Sequence, residues 1–379
     1  MKIIKYLTLI MVLWGIPSFF SYDESIGSKM SYLTYILLII YYFISTKGKL
    51  LIPFLILGIS YFVISGFTFV NDVNDYTYKL VKYIIFIVSG AELARNTTKK
   101  EFFILAILGS LSILIHAVAF PNGYGRYSGF YLNPNGAGFV CIIGYCLSYV
   151  IEDKKLRLIG QFILTFAGII TFSRTFISLW LIVSLLSILA DKRNSLTFGL
   201  GAVAIVVVFS LASFLKFNSV RFSAFEGLLT DQSESSISTI KDGSRLDTWS
   251  VYYDEITTNP IFGNGFQMLS GLNHDKQGVH NTFLMVLGES GIFPFLLIIG
   301  IYLFMLKRSY GQFTSKPHLL MLTISMVGIL MIMHNYFDNN LILFTSIWIF
   351  VRLIDRHFVE ETHEEAVTED ELINKTITP

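Results

Sequence analysis

The chain has 379 residues, 53% hydrophobic and 15% charged, with a formal net charge of +1 and a mean hydropathy of +0.62. Soluble domains average about 25% charged residues, so these charges are too few to coat a water-facing surface, and a lipid-facing one is expected. The balance of charge implies no polyanion-binding surface and no nucleic-acid partner, and Cys141 and Cys146, five apart and so roughly 140° apart around a helix, are unsuited to an intrahelical disulfide.

A membrane span needs about 20 mostly apolar residues. The first such run is 4–20. Lys2 and Lys5 stand at its start as in a signal peptide, but Ser21-Tyr22-Asp23-Glu24 follows in place of a small-x-small cleavage site, so it reads as a retained span. Further spans are expected at 30–46, 49–70, 77–94, 102–120, 134–151, 156–172, 174–190, 196–215, 282–306, 318–336 and 339–355. Only Ser173-Arg174-Thr175 splits the seventh from the eighth, which demands a tight turn at the membrane surface. The expected fold is all-α: a single polytopic domain over 1–356, with about twelve transmembrane helices and one large extracytoplasmic loop at 216–281. Residues 357–379, rich in Glu, read as a disordered cytoplasmic tail.

Lys and Arg in short loops set the orientation. With both termini in the cytoplasm, the inner segments hold eighteen of them, and the short outer loops only Lys29, Lys79, Arg126 and Arg174. Long loops obey the rule weakly, so 216–281 is left out of the comparison.

Within the long loop, 216–243 is rich in Ser, Asp and Glu. Ser244-Arg245-Leu246-Asp247 then resembles a capping box, and Leu246, Trp249, Tyr253 and Ile256 fall on one helical face. An amphipathic helix is expected there, lying on the membrane or the bundle and ended by Asn259-Pro260. A glycine-rich turn follows at Ile261-Phe262-Gly263-Asn264-Gly265-Phe266.

Polar residues gather where spans meet the outer face. Spans six, eight and ten run from outside to inside, and each starts with a good cap: Asn133 ahead of Pro134, Ser173, and Asn281. Their free backbone N–H groups and positive dipole ends face outward. Arg126, Arg174 and Arg245 add fixed charge. Convergence of these ends would create a site for a doubly negative group such as a diphosphate, with Arg126, Asn133, Asn135, Ser173 and Asn281 as substrate-binding residues. His280 is the general-base candidate, since its ordinary pKa suits proton abstraction at neutral pH and the arginines would keep it neutral. Glu289, about two turns into span ten, is an intramembrane ionisable group, reads as functional and is expected among the substrate-binding residues. His116 reads as a hydrogen-bonded core residue, and His334 and Asp338 as ordinary polar residues of the last outer turn. The outer face carries no His/Asp/Glu cluster with metal spacing, so no metal or cofactor is expected.

The chain resembles the O-antigen ligase and O-antigen polymerase superfamily of bacterial envelope enzymes. The resemblance rests on Arg126-Tyr127-Ser128-Gly129-Phe130 leading into Asn133-Pro134-Asn135, and on Ser173-Arg174-Thr175 at the head of a span. It rests most on the run from Arg245 and Trp249 through Asn259-Pro260, Gly263-Asn264-Gly265, His280-Asn281 and Glu289-Ser290-Gly291-Ile292. It implies a metal-independent, inverting glycosyl transfer at the outer face of the bacterial cytoplasmic membrane, with a glycan on undecaprenyl diphosphate as donor. It also implies that Arg174, Arg245 and His280 are the catalytic set, the histidine activating the acceptor hydroxyl and the arginines holding the leaving diphosphate. The leading expectation is a polymerase of lipid-linked repeat units, partnered by a chain-length regulator. A ligase moving finished glycan to lipid A-core or protein uses the same donor chemistry. A lipid-linked oligosaccharide flippase or transporter would carry ionisable residues near the bilayer midplane. Here, Glu289 and His116 apart, they collect at one face.

Overall fold

A computed structural model describes residues 1–120, 126–210, 245–271 and 277–354. The expected acidic tail and the Ser/Asp/Glu-rich part of the long loop lie outside the described residues. Those described form helices and turns with no strand, as the all-α expectation requires.

The first helices are α1 (Lys2–Leu13) and α2 (Ile16–Phe19), then α3 (Glu24–Ile44) and α4 (Ile52–Thr68). The first expected span is therefore not straight. The helical pieces on either side of Gly15 are bent by 51°, because Gly15 sits at φ 61, a conformation only glycine adopts cheaply. Next, α5 (Val73–Ile85) passes through a π turn at Phe86–Gly90 into α6 (Ala91–Arg95). A capping box between Thr98 and Glu101 then starts α7 (Lys99–Ala119). The centre of the chain gives α8 (Pro134–Ser148), α9 (Lys154–Ile170), α10 (Arg174–Ala190) and α11 (Ser195–Ser210).

In the long loop, the single amphipathic helix expected is two short ones, α12 (Arg245–Ser250) and α13 (Tyr253–Thr258). The break rotates the buried face: Tyr252 and Ile256 are buried, with Trp249 packed beside the core, while Tyr253 is exposed. The segment lies on the bundle, with Ile256 against Gly288, and Tyr252 Oη donates within the loop to the Gln277 carbonyl at 2.8 Å. The tenth expected span is likewise divided into α14 (Thr282–Ser290) and α15 (Ile292–Gly311), with Gly291 at φ 78 between them. The eleventh, α16 (Pro317–Leu330), ends six residues earlier than expected. The last described helix is α17 (Asn340–Ile354).

Two helices are interior. Every residue of α8 from Gly136 to Ser148 is buried, as is every residue of α17 from Leu341 to Leu353. Small residues allow this: Gly144 of α8 faces Leu164 and Ala106 with no room for a side chain. The surrounding helices leave apolar side chains outside, such as Leu181, Leu185 and Leu189 on α10 and Phe293, Leu296 and Leu303 on α15. Helices that are apolar all round belong inside a bundle, and an outer apolar belt suits a lipid solvent.

Each expected span corresponds to helix. Among the described residues, three helices (α3, α7 and α15) are by themselves long and apolar enough to cross a membrane, or up to four spans if the bent first pair is one. Helices α4, α8, α10, α16 and α17 are apolar but shorter.

The two ends of the bundle differ. At one end Lys5 pairs with Glu101 at 2.7 Å, Arg95 with Glu92 at 2.5 Å, and Arg352 donates to the Thr97 carbonyl. These basic residues are among those the charge census assigned to one side of the membrane.

Candidate functional site

The opposite end holds the three helix starts singled out by their caps. Asn133 accepts from the Asn135 N–H at 2.8 Å, Ser173 from Phe176, and Asn281 from Phe283 and Leu284 at 2.9 and 3.1 Å. One feature common to all three was not expected. The residue before each cap has positive φ: Leu132 at 55°, Phe172 at 49° and His280 at 46°. Such a conformation costs a non-glycine residue of order 1–3 kcal/mol and persists only where the surroundings enforce it. Here it turns the chain sharply enough for the next residue to cap a helix aimed into the bundle.

Two of these starts are joined directly, since Ser173 Oγ donates to Asn135 Oδ1 at 3.0 Å. Arg126, buried to 9% exposure, donates from Nε to the Thr171 carbonyl at the end of α9, 3.1 Å away. It thereby ties its own loop to the α9–α10 turn. Arg174 is exposed at the head of α10. The third start is tied elsewhere: Thr282 Oγ1 donates to the Met333 carbonyl at 2.7 Å, fixing α14 to the turn after α16. His116 accepts at Nδ1 from the N–H groups of Ser128 and Gly129 at 3.4 and 3.2 Å. It thus holds the Arg126 loop as a hydrogen-bonded residue.

The glycine-rich turn is built around Glu289. Its carboxylate accepts from Tyr61 Oη and from the Leu269 N–H at 3.0 Å, and the residue is 1% exposed. The Asn264 N–H donates to the Gly288 carbonyl at 2.7 Å and the Gly265 N–H to the Glu289 carbonyl at 3.1 Å. Gly263 and Gly265 have φ of 72° and 109°. Glu289 therefore spends both oxygens on the protein, anchoring the turn to α14 and α4. That answers why an ionisable group stands in an apolar helix: it satisfies a backbone donor that would otherwise be buried unpaired.

His280 has a partner in His334. Their Nδ1 atoms are 3.2 Å apart and their rings meet edge to face, with centroids 4.6 Å apart. Burial, His334 and then Arg245 push His280 down to about 4, and burial and Arg245 also hold His334 below the ordinary histidine value. Both imidazoles are neutral at pH 7. One Nδ1 must carry the hydrogen and the other accept it. If His280 donates, its Nε2 keeps a free lone pair, the form a general base needs. His334, which sequence assigned an ordinary loop role, is then the group that orients the base. A sequence signal for it existed: His334-Asn335 repeats the dipeptide His280-Asn281.

The site thus has two parts. Asn133, Asn135, Ser173, Arg126 and Arg174 gather at the starts of α8 and α10. Arg245, His280, Asn281 and His334 gather above α14. The turn from Met333 to Asp338 lies between them: Met333 and Asn335 line a cavity that Asn133 also lines, and His334 lines a second cavity with Glu289. Among the described residues no group of His, Cys, Asp or Glu is arranged to hold a metal. Cys141 and Cys146 are free and buried.

Residues 159–299 match the family described as O-antigen ligase. The matched segment covers less than half of the chain. It contains Ser173, Arg174, Arg245, His280, Asn281 and Glu289, while Arg126, Asn133, Asn135 and His334 fall outside it. The resemblance drawn from sequence motifs therefore stands on the segment that carried most of them. A comparison with curated proteins gave no match.

Proposed function

We propose that the chain is a bacterial membrane glycosyltransferase that polymerises undecaprenyl-diphosphate-linked oligosaccharide repeat units for a surface polysaccharide of the O-antigen or capsule type. The observation that carries this reading is the neutral His280–His334 pair beside Arg245, with His280 and Arg245 inside the segment matching the O-antigen ligase family and His334 outside it. In this reading the helices cross the cytoplasmic membrane about twelve times, with both termini in the cytoplasm and the paired histidines outside.

The chemistry follows from the residues. An acceptor sugar hydroxyl attacks the anomeric carbon of the donor glycan from the face opposite the diphosphate, inverting it. The new C–O bond forms as the bond from that carbon to the diphosphate oxygen breaks. The hydroxyl proton passes to His280 Nε2, and the resulting imidazolium keeps its Nδ1–H on His334. The electron pair leaves with undecaprenyl diphosphate, whose charge Arg174 and Arg245 hold together with the N–H groups at the starts of α8 and α10. His280 then returns its proton to solvent or to the departing diphosphate. Arg126, Asn133, Asn135, Ser173 and Asn281 shape the diphosphate cradle, and Glu289 positions the loop behind the histidine. A chain-length regulator is the expected protein partner.

The family description favours a second reading, a ligase moving finished glycan to lipid A-core or protein. Single replacement of Arg174, Arg245 or His280 by Ala, read as a gel of surface glycan, tests both. Loss of polymerase activity leaves single-repeat product without a ladder; loss of ligase activity leaves lipid-linked polymer that never reaches its acceptor. A normal ladder from all three variants at normal protein levels sinks the site assignment.

A further inference from the structure

A cavity of about 560 Å³ opens beside the start of α8, outside the segment that matches the O-antigen ligase family. Glu24 and Ser28 of α3, Lys82 of α5, and Asn335, Asp338 and Asn340 at the last turn line it. Its size is that of pockets which take small organic ligands. Its chemistry is a dense mixture of carboxylate, amide, hydroxyl and ammonium. Its lining carries two carboxylates and one lysine, and Asp338 is paired with both Lys82 and Lys79 at 3.7 and 3.8 Å, so the lining offers a diphosphate no net positive charge. A neutral polyol needs what the cavity offers, acceptors and donors close together in every direction. Asn340 Oδ1 is already held by Tyr35 Oη at 2.7 Å, leaving its amide as a donor. Tyr78, fixed by a 3.1 Å bond to Ser31 and lying under Lys82, adds an aromatic face to the same wall.

Its position matters as much as its lining. A second cavity of about 220 Å³ shares Asn335 and Asp338 with it and is lined by His334. The turn from Met333 to Asp338 is thus a common wall, with the large cavity, of mixed polar and apolar lining, on one side and the histidine pair on the other. From this juxtaposition we infer that the large cavity is a saccharide-binding site, holding the acceptor glycan so that one hydroxyl reaches toward the histidines. The inference rests on the transfer reading above and adds where the sugar sits. It also divides the labour: sugar beside α3 and the last turn, diphosphate at the arginine-bearing helix starts.

The test uses the full chain in lipid nanodiscs. The probe is the repeat-unit oligosaccharide released by mild acid from the host's lipid-linked precursor, observed by saturation-transfer NMR. Binding is expected for the unaltered chain and for His280→Ala, which leaves the cavity intact. It should weaken at least tenfold in Glu24→Ala and in Asn335→Ala, both exposed side chains whose loss spares the core. Inorganic diphosphate should not displace the sugar. No binding to the unaltered chain, wild-type binding by both cavity variants, or displacement by diphosphate would each overturn the assignment. The two readings fail separately. A normal glycan ladder from His280→Ala, with binding still lost in the cavity variants, removes the transfer reading and keeps the sugar site. A ladder that needs His280, with binding unmoved by the cavity variants, does the reverse.

Discussion

The Nδ1 atoms of His280 and His334 lie 3.2 Å apart, so the candidate base is oriented by a second histidine where many enzymes use a carboxylate. A carboxylate partner would raise the basicity of His280; a neutral, buried imidazole with Arg245 nearby lowers it. The pair keeps His280 unprotonated well below neutral pH, at the expense of base strength.

A pH profile reads this directly. With His280 at about 4, activity should stay level as pH falls through 6.5 and decline only toward 4. His334→Ala removes one of the causes of the depression and opens the site to water. The His280 pKa then moves up toward 6.5, and the acid limb of the rate profile moves up with it. His334→Asn, which retains an acceptor for the His280 Nδ1–H, should recover part of the rate at pH 7. His280→Ala should cost the general-base contribution of about 10²–10⁴-fold. An acid limb unmoved in His334→Ala would show that the pair does not set the base.

The Ser173–Asn135 bond links the starts of α8 and α10 directly, and Ser173 also caps α10. Ser173→Ala removes both functions. Losing a cap costs about 0.5–2 kcal/mol, so thermal unfolding in detergent should occur several degrees lower. Arg174→Ala, at an exposed position one residue on, should leave the melting temperature in place while abolishing the glycan ladder. Equal destabilisation by the two variants would assign Arg174 to the fold instead.

Glu289 separates a structural from a chemical role. Ala at this position leaves the Leu269 N–H and Tyr61 Oη buried without an acceptor, a loss of about 1–3 kcal/mol for each group. Gln preserves an oxygen for Leu269 and should retain most of the stability. Because Glu289 holds the loop behind the histidine, both activity and melting temperature should fall in Glu289→Ala and recover together in Glu289→Gln. Activity lost in Glu289→Gln at full stability would mean that the carboxylate itself meets substrate.

Helix starts were legible in the sequence because they are local. Asn133-Pro134, Ser173 and Asn281 announce caps through residue types whose side chains reach only two or three residues ahead. Long apolar runs gave the helices for the same reason. What sequence concealed depends on glycine and on distance. Gly15 and Gly291 divide apolar runs that hydropathy reads as continuous, because hydropathy scores transfer into lipid and is blind to φ. The break at Val251-Tyr252 shifted the buried face of the loop helix by a similar blindness. His334 is 54 residues from His280, and no periodicity connects them; only the repeated His-Asn dipeptide hinted at a pair. The link from the Met333 carbonyl to Thr282 is equally non-local, yet it brings the two histidines together.

That break at Gly291 yields the sharpest prediction of stability. The residue has φ 78, and a Cβ there would overlap the Ile261 carbonyl oxygen, which belongs to the glycine-rich turn. The Ile292 N–H meanwhile donates to the Pro260 carbonyl at 3.0 Å, so the backbone of the loop and the start of α15 are laced together. Alanine must therefore both adopt a backbone conformation, φ 78 and ψ −169, that is essentially reserved for glycine and costs of order 1–3 kcal/mol, and push apart two backbones that hydrogen bonds hold in contact. Relief by rotation is blocked, since turning Gly291 to negative φ would make α14 and α15 one continuous helix and swing Glu289 away from Tyr61 and Leu269. Gly291→Ala should consequently fail to accumulate in the membrane, or should unfold far below the wild-type temperature. Gly300→Ala, with nothing within 4 Å of the added methyl and an ordinary helical position in α15, should behave like the unaltered chain or slightly better. Membrane abundance of the two variants, measured side by side, would expose an error: a well-expressed, active Gly291→Ala protein would mean that α14 and α15 tolerate continuity and that the loop is not pinned as described.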